Sequence, residues 1–385
     1  MRRPQLLLTA SGLCVLIGFA ILDPSNGLPQ TKRTVESDSV SMAPLPGQRL
    51  PPSGSPATLV GRKVCGECHT KNFALHSNHG HASTFYSVAE TSLGDLFDGK
   101  TFDAGNGYGT YDYEKDDKGQ LVVRLKSRFG KEPFPLQYAL GSGLHAQTML
   151  TLVPGVNGNG QTDGIEHRVS CYPDSRIGLT PGHSKMQPQQ ALEFFGDAST
   201  GDPLDRCIYC HTTSGKIQQQ QVVDLIANVN CEKCHGPGSE HVRQARANPN
   251  PPPYSVGRSD WDTESEIQLC GDCHRMPRNI TDKKLRDYPD ELARFQPVGM
   301  LRSRCYLDSN RELRCTTCHS PHTAIGETTT QQHEKNCIQC HQENHTKQVA
   351  CPESPSEGCI KCHMPALEID QGLHFHDHWI RVRGD

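Results

Sequence analysis

The pentapeptide C-x-x-C-H occurs seven times in this chain of 385 residues. Motif 1 is Cys65, Cys68 and His69; motif 2 is Cys207, Cys210 and His211; motif 3 is Cys231, Cys234 and His235; motif 4 is Cys270, Cys273 and His274. Motif 5 is Cys315, Cys318 and His319, motif 6 is Cys337, Cys340 and His341, and motif 7 is Cys359, Cys362 and His363. Two cysteines three positions apart fit one helical turn, from which both sulfurs can form thioethers with the vinyl groups of one haem. The histidine that follows reaches the iron as proximal ligand. Seven motifs therefore imply seven covalently held haems c. Zinc knuckles and disulfides use the same pair spacing, but a zinc site has no need of a histidine directly after the second cysteine. Here it stands at every pair.

Twenty histidines less the seven proximal ones leave thirteen, enough to fill the second axial position of every iron. An iron with both axial positions filled exchanges electrons without binding a substrate, so the surplus favours conduction over catalysis. The candidates for distal ligand are His79, His81, His145, His183, His241, His322, His345 and His378. His322 is too close to His319 to serve the opposite face of the same haem, which points it at a neighbouring iron. One ligand is expected among His76, His79 and His81, either His79 or His81. Met276 and Met364 lie too near their own motifs to cross a ring plane and are read as packing. No catalytic residue can be named.

Hydrophobic residues make up 34% and aromatic residues 6% of the chain, below the usual globular share of about 45–50% apolar. Porphyrin plates can supply the missing core. The expected fold is mainly short α-helices and loops wrapped around stacked c-type haems, with little regular structure. A small β-containing insert is expected between motifs 1 and 2. Within it, the stretch Gly109 to Tyr113, the turn Asp116-Asp117-Lys118-Gly119 and the run Leu121 to Leu125 read as a hairpin.

Residues 1–22 begin with Met-Arg-Arg-Pro and continue as an apolar run from Leu6 to Leu22, an export signal that fits either a cleaved signal peptide or a membrane anchor. Residues 23–60 read as a disordered Pro/Ser-rich linker. The span 61–200 holds the first haem site and the insert, and 201–385 is a hexahaem domain. Export places the chain in the periplasm, soluble or tethered to the inner membrane. Cys305 and Cys351, outside the motifs, are a possible disulfide there. The net charge of −4 gives no footprint for nucleic acid, and the implied partners are redox proteins meeting it through small interfaces.

The stretches CEKCHGPGSEH at Cys231, CTTCHSPH at Cys315, CIQCH at Cys337 and CIKCHMP at Cys359 resemble the multihaem cytochromes of the cytochrome c-552/4 type. So does the closing His-Asp-His-Trp-Ile-Arg. These are related to the tetrahaem cytochrome partner of hydroxylamine oxidoreductase, and the similarity covers roughly residues 61–385. It implies short helices, haems in close parallel and perpendicular pairs, and mostly bis-histidine irons, with His145, His241, His322 and His378 as distal ligands. No motif ends in Lys, as the catalytic haem of a pentahaem nitrite reductase requires, and there are seven motifs where hydroxylamine oxidoreductase carries eight haems. The leading expectation is a periplasmic heptahaem c-type cytochrome transferring electrons between redox partners. The alternative is a multihaem oxidoreductase acting on a small nitrogen or sulfur compound at one five-coordinate haem, with the isolated first haem as the place to look.

Overall fold

The computed structural model describes residues 57–382 apart from 106–107, 127–132, 156–159, 189, 249, 251–261, 342–350 and 355. The expected signal or anchor, nearly all of the linker, and His345 lie outside the described residues. Among the described residues no helix is long and apolar enough to cross a membrane.

Among the described residues fourteen strands form four sheets. In chain order they are β1 (Phe85–Ser87), β2 (Thr101–Asp103), β3 (Thr110–Lys115), β4 (Leu121–Lys126), β5 (Pro133–Pro135), β6 (Tyr138–Leu140) and β7 (Gln147–Pro154). They continue as β8 (Thr162–Cys171), β9 (Ile177–Leu179), β10 (Gly196–Thr200), β11 (Thr212–Gln218), β12 (Gln221–Ala227), β13 (Ala366–Asp370) and β14 (Leu373–His376). One sheet runs β1-β6-β7-β8-β10 with β9 also on β8, and a second runs β2-β3-β4-β5; β11–β12 and β13–β14 are separate hairpins. All pairings are antiparallel.

The period-2 pattern explains how the two larger sheets close on each other. Tyr111 and Tyr113 on β3 and Val123 and Leu125 on β4 are buried with Met149 on β7 and Ile165 and Val169 on β8, joined by Phe97 and Phe194 in one apolar core. The other face of the six-stranded sheet buries Leu150 and Leu152 against Leu204 and Ile208 of the helix Asp202–His211, with Phe85 completing the cluster. The β3–β4 hairpin turns where the sequence reads a turn. The Asp116 carboxylate accepts the amides of Lys118 and Gln120, at 2.9 and 2.8 Å.

The expected fold class is therefore corrected. Four sheets replace a fold of mainly short helices and loops around haem, and the small insert is a region with its own two-sheet core. Sheet also recurs after motif 2 and near the C-terminus. The reason lies in averaging. The low apolar content of the whole chain conceals an aromatic and β-branched concentration between residues 85 and 200 that needs no cofactor to bury.

Close approach of β10 to β8 depends on Gly196, where an added Cβ would overlap the carbonyl oxygen of Glu166. The backbone of a central strand cannot yield cheaply, so Gly196→Ala is expected to cost about 3 kcal/mol or more. Urea denaturation of the variant and parent measures this; equal midpoints would contradict the packing.

Candidate functional site

Every motif lies on or directly after a short helix: Arg62–Gly66, Asp202–His211, Cys231–His235, Thr263–His274, Cys315–Cys318, Thr330–Cys340 and Cys359–His363. Local chemistry starts several of them. Asp262 caps the motif 4 helix by accepting the Ser265 amide, and Thr329 with Gln332 forms a capping box ahead of motif 6. The turn brings the motif histidine back to its first cysteine, with the amides of His69, His319 and His341 donating to Cys65, Cys315 and Cys337 carbonyls at 2.9, 3.0 and 3.0 Å. Both sulfurs and the imidazole thus leave one turn, as attachment to a single haem requires.

Four of the imidazoles are also held in the tautomer a metal needs. Nδ1 of His211 sits 3.1 Å from the Thr84 carbonyl, that of His363 3.0 Å from the Arg381 carbonyl, and that of His378 2.9 Å from the His376 carbonyl. Nδ1 of His274 meets Gln296 Oε1 at 3.2 Å. Nδ1 committed to an oxygen acceptor leaves the Nε2 lone pair free to bind iron. Burial keeps the rings neutral, pushing His81 down to about 3 and His319 to about 4, and lowering His211, His274 and His378.

Four motif histidines face a second imidazole at nearly one separation. Ring centroids are 6.1 Å apart for His69 and His241, 6.1 Å for His274 and His81, 6.2 Å for His235 and His322, and 6.2 Å for His319 and His378. Two nitrogens each about 2 Å from one metal stand about 4 Å apart and put their ring centroids about 6 Å apart. The side chains present therefore fit an iron between the members of each pair.

The other candidates fall elsewhere. His79 lies against His76 and His81, at 5.9 and 4.5 Å. His145 packs on Phe375 at 4.3 Å. His183 is buried with Nε2 3.6 Å from Glu166 and its Nδ1 without a partner. None of the three faces a motif histidine at the shared-metal spacing. Among the described residues no disulfide is formed, and Cys305 and Cys351 are not bonded to each other. Nor, among the described residues, do three His, Cys, Asp or Glu side chains converge as a zinc site demands.

Three buried glutamates, missed by sequence reasoning, order the motifs. Glu232 inside motif 3 accepts the amides of Val60, Gly61 and Gly238, each at 2.8 Å, and so holds the start of the motif 1 helix. Glu266, four residues before motif 4, accepts the Thr316 amide and hydroxyl of motif 5 at 2.8 and 2.9 Å. Glu334, three residues before motif 6, accepts the amides of Gly358 and Ile360 at motif 7, at 3.2 and 3.1 Å. Each carboxylate sits at the amino end of another motif's helix, where free N–H groups and the helix dipole favour negative charge. The motif cysteines neighbour one another in the same pairs: Cys65 lies beside Cys231, Cys270 beside Cys315, and Cys337 beside Cys359.

Further contacts join the pairs. Cys234 lies close enough to Cys270 to act on its charge, and His333 before motif 6 directs Nδ1 to the Cys318 carbonyl at 3.1 Å. The contacts thus run 1–3–4–5–6–7, and His322 beside motif 5 ties motif 3 to motif 5 as well. Motif 2 adjoins motif 4 through Cys210 and Cys273 and through Arg206, whose guanidinium donates to the Asp272 carbonyl at 2.7 Å.

Breaking a clamp has a defined effect. Glu232→Leu leaves three amides without their acceptor and is expected to cost about 3 kcal/mol or more. Hydrogen exchange over residues 58–66 reads it, and unchanged protection would contradict the clamp.

With this geometry in place, the comparisons with known proteins can be set beside it. Residues 182–236 match the family Cytochrome c554 and c-prime. That span holds motifs 2 and 3, so this part of the chain is c-type cytochrome in kind, with covalent haem and electron transfer as its chemistry. A solved structure, that of the outer cell wall cytochrome OcwA, is 16% identical with a TM-score of 0.43, over 84% of this chain and 79% of that one. No curated protein gives a significant match.

Proposed function

We propose that the whole chain is an exported, periplasmic heptahaem c-type cytochrome that conducts electrons between redox partners, either free or tethered by residues 1–22. In this reading the cysteines of motifs 1 to 7 attach the haems, and their histidines are the proximal ligands. Residues 23–60 act as a spacer, the span 61–200 carries the first haem and the β-rich region, and 201–385 carries the other six. His241, His322, His81 and His378 are the distal ligands of motifs 1, 3, 4 and 5. The observation that carries this reading is the recurrence of one imidazole separation, 6.1–6.2 Å, at four motifs. Bound haem c supplies one-electron transfer. The chain's own part is to hold the motifs in contact and fill axial positions with neutral imidazoles. Motif 1 at one end of the row exposes Cys68, and motifs 6 and 7 at the other expose Cys340 and Cys362, where partners can approach.

Replacing His81, His241, His322 or His378 singly by alanine tests the ligand set. Each variant is expected to keep its haem count and convert one iron from low-spin to high-spin in the electron paramagnetic resonance spectrum. A full set of unchanged spectra would refute the assignment. A remote substitution should act in the same way. At Gly299 an added Cβ would stand 2.6 Å from the His378 carbonyl carbon. Gly299→Ala should therefore displace His378 and raise the high-spin fraction at motif 5 alone.

A further inference from the structure

The segment that leaves β14 serves two motifs at once. It supplies His378, whose ring faces His319 of motif 5 at 6.2 Å. Three residues on, the carbonyl of Arg381 lies 3.0 Å from Nδ1 of His363 in motif 7. The segment also begins on motif 7. Nδ1 of His376 is 2.6 Å from the Met364 carbonyl, and the Asp377 amide donates to the Pro365 carbonyl at 3.1 Å. Residues 376–381 are therefore a bracket, with both ends on motif 7 and the residues just after it, and with its middle turned to motif 5. In the row of contacts motif 6 stands between these two.

The bracket keeps its shape around one carboxylate. Asp377 is fully buried. Its Oδ1 accepts from the Trp379 amide at 2.9 Å and the Tyr288 hydroxyl at 3.0 Å, and its Oδ2 accepts from Nη1 of Arg381 at 3.2 Å. An amide two residues on and a guanidinium four residues on, both drawn to one side chain, curl the backbone around His378. A carboxylate taken wholly out of water is tolerated only with such partners, so the loop is bound to close on it. Ser303, also fully buried, braces the same turn: its hydroxyl donates to the His378 carbonyl and accepts the Ile380 amide, each at 2.8 Å. The Trp379 ring packs under the guanidiniums of Arg302 and Arg381, at 4.1 and 3.7 Å.

Resting on the haem reading above, with His378 the distal ligand of motif 5 and His363 the proximal ligand of motif 7, we propose that Asp377 is a positioning residue for both irons. It seats His378 opposite His319, and through Arg381 it holds the carbonyl that orients His363. An imidazole whose Nδ1 has an oxygen acceptor is fixed in rotation and is a more basic ligand. One buried carboxylate thereby sets the axial ligation of two irons that do not follow one another in the row.

The test is electron paramagnetic resonance on mature holoprotein of the parent, Asp377→Ala and Asp377→Asn. Two reference variants assign the signals. His378→Ala marks the high-spin signal of motif 5, and Cys359→Ala with Cys362→Ala marks the low-spin signal of motif 7 by its loss. Asp377→Ala is expected to keep its haem count, to show the high-spin signal of His378→Ala, and to shift the g-values of the motif 7 signal while the other low-spin signals stay unchanged. Asp377→Asn keeps an oxygen for Trp379 and Tyr288 but loses the charge that draws Arg381. It should therefore return motif 5 to low-spin and still shift motif 7, and it decides the matter if Asp377→Ala fails to accumulate. The proposal is overturned if Asp377→Ala leaves the motif 5 and motif 7 signals as in the parent, if it disturbs every low-spin signal alike as general loosening would, or if Asp377→Asn leaves motif 7 unshifted. Should His378→Ala itself give no high-spin signal, the ligand assignment falls instead, and so the two failures are separated.

Discussion

Mature protein in which Cys270 and Cys273 are both alanine is expected to carry six covalent haems in place of seven and to slow electron transfer between motif 1 and motif 7. Motif 4 is the hub of the row. Its thiols meet motif 5 through Cys315 and motif 2 through Cys210, and Cys234 of motif 3 lies beside Cys270. Glu266, on the same helix, holds the amino end of the motif 5 turn. Losing the centre therefore removes the contacts that motifs 3, 5 and 2 share through it, and leaves motif 3 joined to motif 5 through His322 against His235 and to motif 2 through Lys233 over the Tyr209 ring at 3.6 Å. The matching change at the end of the row, Cys359→Ala with Cys362→Ala, also removes one haem but leaves motifs 1 to 6 connected. Stopped-flow reduction separates the two variants: the motif 4 variant should show a fast and a slow population of haems, the motif 7 variant one fast population. Identical traces would argue against the order 1–3–4–5–6–7.

A second large effect is expected on acidification, and it arises in the β-rich region instead of at the haem motifs. His167 on β8 is fully enclosed and burial pushes it down to about 3. Its ring bridges the Tyr113 hydroxyl and the Phe195 carbonyl, each at 2.8 Å. A neutral ring that donates from Nδ1 and accepts at Nε2 satisfies both neighbours, whereas a protonated ring would bury a charge and leave the Tyr113 hydroxyl proton without its acceptor. The sign follows from linkage. Between about pH 6.5 and about pH 3 the unfolded chain binds a proton that the folded chain refuses, so stability falls as pH falls through that window. The slope is about 1.4 kcal/mol per pH unit, amounting to as much as about 5 kcal/mol at the acid end. His167→Phe should flatten the dependence while costing about 1–3 kcal/mol at neutral pH, because the Tyr113 hydroxyl loses its acceptor. Urea unfolding of both proteins near pH 7 and near pH 4.5 checks this. A parent as stable in acid as at neutrality would contradict the role of His167.

The chemistry of this protein is more legible in its sequence than its architecture. Each motif lies at a helical turn because C-x-x-C-H carries its own geometry in five consecutive residues. His241, His322 and His378, singled out by their places beside motifs or near the C-terminus, each face a motif histidine, and so does His81. His145 and His183 were equally attractive in sequence, both in glycine-containing turns. Their fate depends on long-range folding, one packing on Phe375 of β14 and the other meeting Glu166 of β8. The spatial order of motifs was hidden for the same reason, since motif 3 lies between 1 and 4 only through contacts such as Glu232 with Val60, 172 positions apart.

The fold was misread where local signals were weakest. β11 reads TTSGKIQ and β12 reads QVVDLIA, and the ladder between them contains register shifts that no simple alternation announces. β7 and β8 become a core only when Met149, Ile165 and Val169 meet Tyr111 and Tyr113 from another sheet. The glutamate clamps were invisible because a charged residue inside or just ahead of a motif looks like solvent-exposed filler. Their burial, 5% exposure for Glu232 and 1% for Glu266, appears only when another motif's helix is docked on them.

The central claim is that seven C-x-x-C-H turns hold seven haems by covalent bonds. Intact mass spectrometry of the mature protein, denatured and fully reduced, addresses it most directly. The account predicts the polypeptide mass plus seven haem increments, with all fourteen motif cysteines resistant to alkylation. The bare polypeptide mass, with those cysteines open to alkylation, would contradict it.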